Sequence, residues 1–247
     1  VCSRLRIQHR RAALRAVGGQ QTVEEQRIGV RQDAGHIQKA HIAFQRHPLI
    51  QDIYVVCAAE WAAAVRQEAG DGGIEKFRCT IEGGATGFDS LCNGIRGLAG
   101  MVNDPTALVL VHDAVRPLVT QDIISRNIAV CLTHGNAITA LESHEAFLVS
   151  RDGLTSADYL PREGVLRAQT PHTFPLSTLT QMMEKAHEQG ITYSQSLFTL
   201  ANELNFTPLY IAEGDALNFK LTLPQDILIY QALKDAPLLS SLEEKNT

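Results

Sequence analysis

The chain has 247 residues, 45% of them hydrophobic and 20% charged, with a formal net charge of −5. That composition suits one large globular domain and carries no electrostatic footprint for nucleic acid. No apolar run approaches the roughly 20 residues of a bilayer-spanning helix, no signal peptide is evident, and the scattered cysteines, with no C-x-x-C pair, point to a reduced, cytoplasmic protein with no metal at sulfur.

Residues 1–38 stand apart. Arginines crowd there (Arg4, Arg6, Arg10, Arg11, Arg15, Arg27, Arg31), glutamine is dense, and neither helical nor strand periodicity lasts. The stretch reads as an aberrant, poorly ordered extension. Residues 39–240 read as one regular domain, and 241–247 as a polar tail. His47-Pro48 lies where a helix runs into a turn. A buried strand follows over 53–57, a helix over 58–69 closed by Gly70, and a second strand over 77–81 ending in Gly83-Gly84-Ala85-Thr86. A helix spans 89–98. The run Ala107-Leu108-Val109-Leu110-Val111 is apolar without polar alternation, which marks a strand covered on both faces of a parallel sheet. It stops at His112-Asp113-Ala114-Val115-Arg116-Pro117. Ligands of open α/β sheets gather beyond the carboxyl ends of strands, so Asp113 and Arg116 face the place where substrate collects.

Thr120 can cap a helix starting at Gln121, and 136–142 reads as a further strand. Over 141–165 the pattern changes: two short extended segments flank Asp152-Gly153, a hairpin signal. Such an arm has no sheet of its own to join, and packing against a second subunit of a homodimer is expected. Residues 167–174 return to the core, followed by helices over 177–189 and 194–204 and a strand over 208–212. Glu213-Gly214-Asp215 turns into 217–222, and Pro224 opens the last helix. The β–α–β–α–β alternation argues for an α/β, doubly wound sheet with right-handed crossovers. No G-x-G-x-x-G follows any strand, which sets aside a generic nucleotide-binding dehydrogenase.

Four stretches at strand ends or on the arm now fall together. His112-Asp113-Ala114-Val115-Arg116-Pro117 resembles the H-D-A-A-R-P of the polyol-phosphate cytidylyltransferases with one conservative change. Asn218-Phe219-Lys220-Leu221-Thr222 resembles their N-x-K-x-T, and Arg162 precedes Thr170-Pro171 at the family spacing. The glycine turn and Ser90 complete the set. The resemblance covers residues 40 to about 235. It implies a Rossmann-like nucleotidyltransferase sheet with the hairpin as a dimerisation arm. The implied reaction joins CTP to 2-C-methyl-D-erythritol 4-phosphate or D-ribitol 5-phosphate with Mg²⁺, giving a CDP-polyol and pyrophosphate. Asn93-Gly94-Ile95 and the arm over 147–153 lean toward the ribitol branch.

The resemblance also assigns roles. Asp113 would hold Mg²⁺ between phosphates. Lys220 would neutralise charge at the reacting phosphates. Arg116, Arg162 and Thr170 would cradle the polyol phosphate, the last two coming from the neighbouring subunit's arm. Gly83, Gly84, Ala85, Thr86 and Ser90 would meet the cytosine base. From the residues alone, Arg162 is as readily a surface arginine, Ser90 a helix-opening hydroxyl and Lys220 an edge-strand lysine, while His112 and His172 read as structural hydrogen-bonders.

The departures cluster on the triphosphate side. The family's L-A-A-G-x-G-x-R-M followed by P-K-Q is absent, Gly87 stands where an arginine is usual, Glu145-Ala146 replaces D-T, and Tyr193-Ser194-Gln195-Ser196 replaces the downstream T-D-E/A stretch. Two readings follow. In one, the chain is an active cytidylyltransferase in which residues 1–38 are a frame-shifted translation of the first strand and triphosphate loop. In the other, it is a catalytically silent homologue that dimerises and binds polyol phosphate.

Overall fold

The computed structural model describes the backbone of residues 12–17 together with residues 42–234. In chain order the elements are β1 (Ala12–Val17), β2 (Ile50–Cys57), α1 (Ala62–Asp71), β3 (Phe77–Glu82), α2 (Gly87–Met101), β4 (Leu108–Asp113) and α3 (Gln121–His134). There follow β5 (Ala137–Glu142), β6 (Phe147–Val149), β7 (Asp158–Leu160), β8 (Leu166–Pro175), α4 (Leu176–Glu188), α5 (Leu197–Glu203), β9 (Ile211–Glu213) and α6 (Pro224–Lys234). Among the described residues β6 and β7 pair only with each other. The rest form a seven-stranded sheet in the order β3-β2-β1-β4-β8-β5-β9.

The apolar run at β4 is covered on both faces, as its composition requires. Leu108 and Leu110 pack with Ile53, Val55, Val65, Ile123 and Ile128 against α1 and α3. Val109 and Val111 point the other way, into a core with Leu91, Ile95 and Leu98 of α2, Leu179 and Met182 of α4, and Leu200 of α5. Helices on both faces make the sheet doubly wound and Rossmann-like.

Several elements depart from the sequence reading, each for a physical reason. No strand is expected in residues 1–38, yet Ala12–Val17 lies inside the sheet, between β2 and β4 and parallel to both. A gap there would strand the inward N–H and C=O groups of two buried neighbours, and Ala-Ala-Leu-Arg-Ala-Val is apolar enough to fill it. Residues 1–11 and 18–41, which carry the rest of the extension, lie outside the described residues. The sheet is also mixed: β8 runs antiparallel between β4 and β5, because the chain returns to it from the arm rather than through a crossover helix. The helix predicted over 58–69 divides into a 3₁₀ turn (Ala59–Trp61) and α1, which runs through Gly70 to Asp71, since an interior glycine costs a helix only about 1 kcal/mol. β9 starts after Pro208, which has no N–H for the ladder.

The arm is present, but Asp152-Gly153 is not a two-residue turn. It sits within the longer connection from Val149 to Asp158, where the Asp152 carboxylate accepts from Leu154 N, Thr155 N, and the hydroxyls of Thr155 and Ser150. Asp152 thus folds the loop tip as an Asx-type turn.

Candidate active site

The parallel strands β3, β2, β1 and β4 end at one edge of the sheet. In register, Val17 faces Val56 and Asp113, and Cys57 faces Glu82. Three pieces of chain meet there: the segment after β4, the first half of β8, and the segment after β9.

Asp113, the last residue of β4, is the centre. Its Oδ2 lies 3.3 Å from Lys220 Nζ and 3.5 Å from Arg116 Nε. Burial pushes the Asp113 carboxyl upward, but Lys220 and then Arg116 outweigh it and hold the group below the ordinary carboxylate range, so it is ionised at neutral pH. The two cations differ in use. The Arg116 side chain is 11% exposed and its Nη1 donates to Asn218 O at 2.8 Å, so it ties the two segments together. The Lys220 side chain is 39% exposed and open to an incoming anion.

Thr170 lies in β8 of the same chain, not on the arm. Its Oγ1 accepts from Asp113 N at 3.0 Å and sits 3.1 Å from His112 Nδ1. His112 is fully buried, and burial lowers its pKa to about 4, so the ring is neutral. One tautomer satisfies both contacts: Nε2–H donates to Arg116 O at 3.1 Å, and Nδ1 accepts the Thr170 hydroxyl proton. That proton is committed inside the sheet. Thr170 therefore fixes the strand end that carries Asp113, and His112 is the structural hydrogen-bonder expected.

The glycine turn follows β3. Gly83 N donates to Cys57 O, Gly84 N to Ser90 Oγ, and Thr86 N to Asp89 Oδ2, while Thr86 Oγ1 accepts from Asp89 N. The last pair is a capping box that starts α2 at Gly87. A Cβ on Gly84 would collide with Asp89. Ser90 is buried beneath the turn, and Ala85 sits within it. The turn is thus held by its own hydrogen bonds before any ligand arrives. Arg162, by contrast, is exposed on the arm after β7.

Sequence reasoning gives no role to three residues that hold this site. Asn218, fully buried, donates from Nδ2 to Thr170 O at 2.9 Å and to Gln169 Oε1 at 3.3 Å. Gln169 pairs with the backbone of Asp215. Asn127 of α3 donates to Thr139 Oγ1 and Pro171 O beneath the same bend of β8. The signal was available: a glutamine and an asparagine inside apolar text must be paired if buried. Thr222, of the N-x-K-x-T stretch, donates to Asp226 Oδ2 and so anchors the segment to α6.

A doubly wound sheet with an ionised carboxylate between two cations at its carboxyl edge has the architecture of a Rossmann-like nucleotidyltransferase. The model of the family "2-C-methyl-D-erythritol 4-phosphate cytidylyltransferase" matches residues 26–235, and the chain belongs to this family. The match begins upstream of residue 40. The chain is 31% identical over 192 residues to the ribitol-5-phosphate cytidylyltransferase of Lacticaseibacillus paracasei, covering 77% of this chain and 81% of that protein. It is 30% identical over 190 residues to the 2-C-methyl-D-erythritol 4-phosphate cytidylyltransferase of Geobacter metallireducens, covering 76% and 80%. The crystal structure of 4-diphosphocytidyl-2C-methyl-D-erythritol synthase from Anaerococcus prevotii superposes with a TM-score of 0.77 at 20% identity, over 92% of this chain and 97% of that one. That last likeness concerns the fold.

Proposed function

We propose that the chain transfers CMP from CTP to a polyol phosphate, with D-ribitol 5-phosphate preferred over 2-C-methyl-D-erythritol 4-phosphate. A phosphate oxygen of the acceptor attacks the α-phosphorus of CTP, the bond to the β-phosphate oxygen breaks, and pyrophosphate leaves. The observation that carries this reading is the Asp113–Lys220–Arg116 cluster at the strand ends. No covalent intermediate is needed, so the protein's task is to hold two polyanions together and neutralise charge as it develops. Lys220, the exposed cation, meets the reacting phosphates. Arg162, from a partner's arm, meets the acceptor phosphate. The glycine turn, with Ser90 supporting it, meets the base.

Among the described residues no three His, Cys, Asp or Glu side chains are grouped to cage a metal. A single ionised carboxylate is still the donor set that suits Mg²⁺, which keeps water and takes substrate phosphates as its other ligands. Asp113 is the residue that would hold it. When bound, Mg²⁺ supplies neutralising charge to the phosphates.

The dimer is supported by the arm. Its two short strands have only each other, and Phe147, Leu148, Val149, Tyr159 and Leu160 are exposed, with Leu154 at 90%. A lone hairpin is marginal in water, and an apolar patch of this kind marks an interface. A cytoplasmic location is supported by Cys57 and Cys79, both free thiols. Among the described residues no helix is long and apolar enough to cross a membrane.

The choice of acceptor rests on the named ribitol-phosphate relatives and is tested by kcat/KM for both acceptors with CTP and Mg²⁺, followed by pyrophosphate release. A higher value for D-ribitol 5-phosphate is expected. A higher value for 2-C-methyl-D-erythritol 4-phosphate reverses the assignment. Acceptor binding without any turnover is the signature of the silent homologue.

A further inference from the structure

We propose that Gln169 is a positioning residue that sets the height of Lys220 over Asp113 by gripping the backbone of Asp215. The inference deepens the functional reading above and rests on it. Gln169 lies in β8, beside Thr170, and is 2% exposed. Its amide meets Asp215 twice: Nε2 donates to Asp215 O at 2.7 Å, and Oε1 accepts from Asp215 N at 3.2 Å. This two-point clasp resembles one step of a strand ladder, made by a side chain. Oε1 also accepts from Asn218 Nδ2 at 3.3 Å. A Cβ on Gly214 would run into that same oxygen, so the backbone at 214 approaches Gln169 as closely as glycine permits.

The segment from Gly214 to Leu221 forms no strand and has no ladder to hold it. Its backbone is pinned instead at discrete points. Gly214 N donates to Ala140 O, Asp215 is clasped by Gln169, Asn218 O receives Arg116, and Leu221 N donates to Val115 O. Lys220 hangs between the last two pins. Asn218, which fixes the third, is itself held from β8 through Thr170 O and Gln169 Oε1. Loss of the Gln169 amide would thus free one pin and loosen the next, and Lys220 Nζ would no longer be held at 3.3 Å from Asp113. Gln169 touches no substrate in this scheme and acts through the backbone.

Two substitutions separate positioning from simple packing. In Gln169→Glu, the Nε2 donor becomes an oxygen of nearly the same shape. Ionised, it faces the Asp215 carbonyl with no proton to give. Protonated, it restores the hydrogen bond. Gln169→Leu removes all three bonds of the amide at every pH. The ionisable groups joined to this position are Asp215, whose backbone it clasps, His172, which meets the Gln169 backbone, and, through Thr170, His112 and Asp113 with its partners Arg116 and Lys220.

At about pH 8, kcat of Gln169→Glu should fall by roughly tenfold or more, the effect of leaving a buried carbonyl facing an acceptor, with both KM values within about threefold. Relative to wild type at the same pH, it should recover toward parity near pH 5.5, and Gln169→Leu should not. A second readout is independent of turnover. With lysines ¹³C-methylated and Lys220 assigned by Lys220→Arg, the Lys220 signal in both Gln169 variants should move at neutral pH toward its position in Asp113→Asn. Wild-type kcat in both variants, equal deficits for Glu and Leu at all pH values, or an unmoved Lys220 signal would overturn the proposal. If wild type itself turned over no CTP, the functional reading would fail, and the Lys220 signal would still decide this one.

Discussion

Asp113 Oδ2 and Lys220 Nζ lie 3.3 Å apart, although one ends the fourth strand and the other follows the ninth. The fold brings them together because the chain leaves both β4 and β9 at the same, carboxyl edge of the sheet. Both Asp113→Asn and Lys220→Ala should lower kcat with CTP and polyol phosphate by two to three orders of magnitude. Loss of one preorganised group that stabilises developing charge typically costs about 2.7–4 kcal/mol in the barrier. Thermal melts should show both variants folded. Near-wild-type rates in both would remove the cluster from the chemistry.

Thr170 and Arg162 are expected to fail differently. Thr170→Val leaves Asp113 N–H and His112 Nδ1 without their partner and should cost about 1–3 kcal/mol in urea unfolding, with Thr170→Ser restoring most of it. Arg162→Ala should leave stability unchanged and raise KM for the acceptor. The reverse pattern would place Thr170 on the substrate and Arg162 in the fold.

Much of this was legible in the sequence. The unbroken apolar text of Leu108 to Val111 announces a strand covered on both faces, and the acid that ends it falls where α/β sheets bind ligands. Thr120 was readable as a helix cap and accepts from Ile123 N as such a cap should. What was not legible is long-range. Nothing local tells that β8 inserts antiparallel between β4 and β5, or that the Thr170 hydroxyl is taken up by His112. The Gln169–Asp215 clasp joins segments whose order in the chain gives no hint of contact. β1 was hidden for a different reason. Arg15 interrupts its apolar pattern, and its place depends on two neighbouring edges that only the assembled sheet creates.

Stability should fall on acidification well before the carboxylates titrate. Burial lowers His47, His112 and His172 each to about 4, against an ordinary value near 6.5. In each case the folded state favours the neutral ring, so the contribution is complete above the unfolded pKa and is lost as pH drops from about 6.5 to about 4. The slope approaches at most about 1.4 kcal/mol per pH unit for each ring. Asp113 adds to the loss only lower down, because its folded carboxyl is held below the usual range. Urea unfolding at pH 7 and pH 5 should show the drop, and His172→Gln should remove about a third of it. An unchanged slope in that variant would contradict the assignment.

The arm should govern assembly. Sedimentation of the intact chain at micromolar concentration should give a dimer, and charges placed at Leu148 and Tyr159 should give a folded monomer. That monomer should lose acceptor affinity if the partner's Arg162 completes the site. A monomeric intact chain would sink both statements.

The most direct test of the central claim is to follow CTP, Mg²⁺ and D-ribitol 5-phosphate by ³¹P NMR, with this chain and with Asp113→Asn. The expected result is a pair of coupled diphosphate signals from a CDP-polyol, growing in step with pyrophosphate for wild type and absent for the variant. No CDP-polyol from either acceptor, or equal formation with Asp113→Asn, would contradict it.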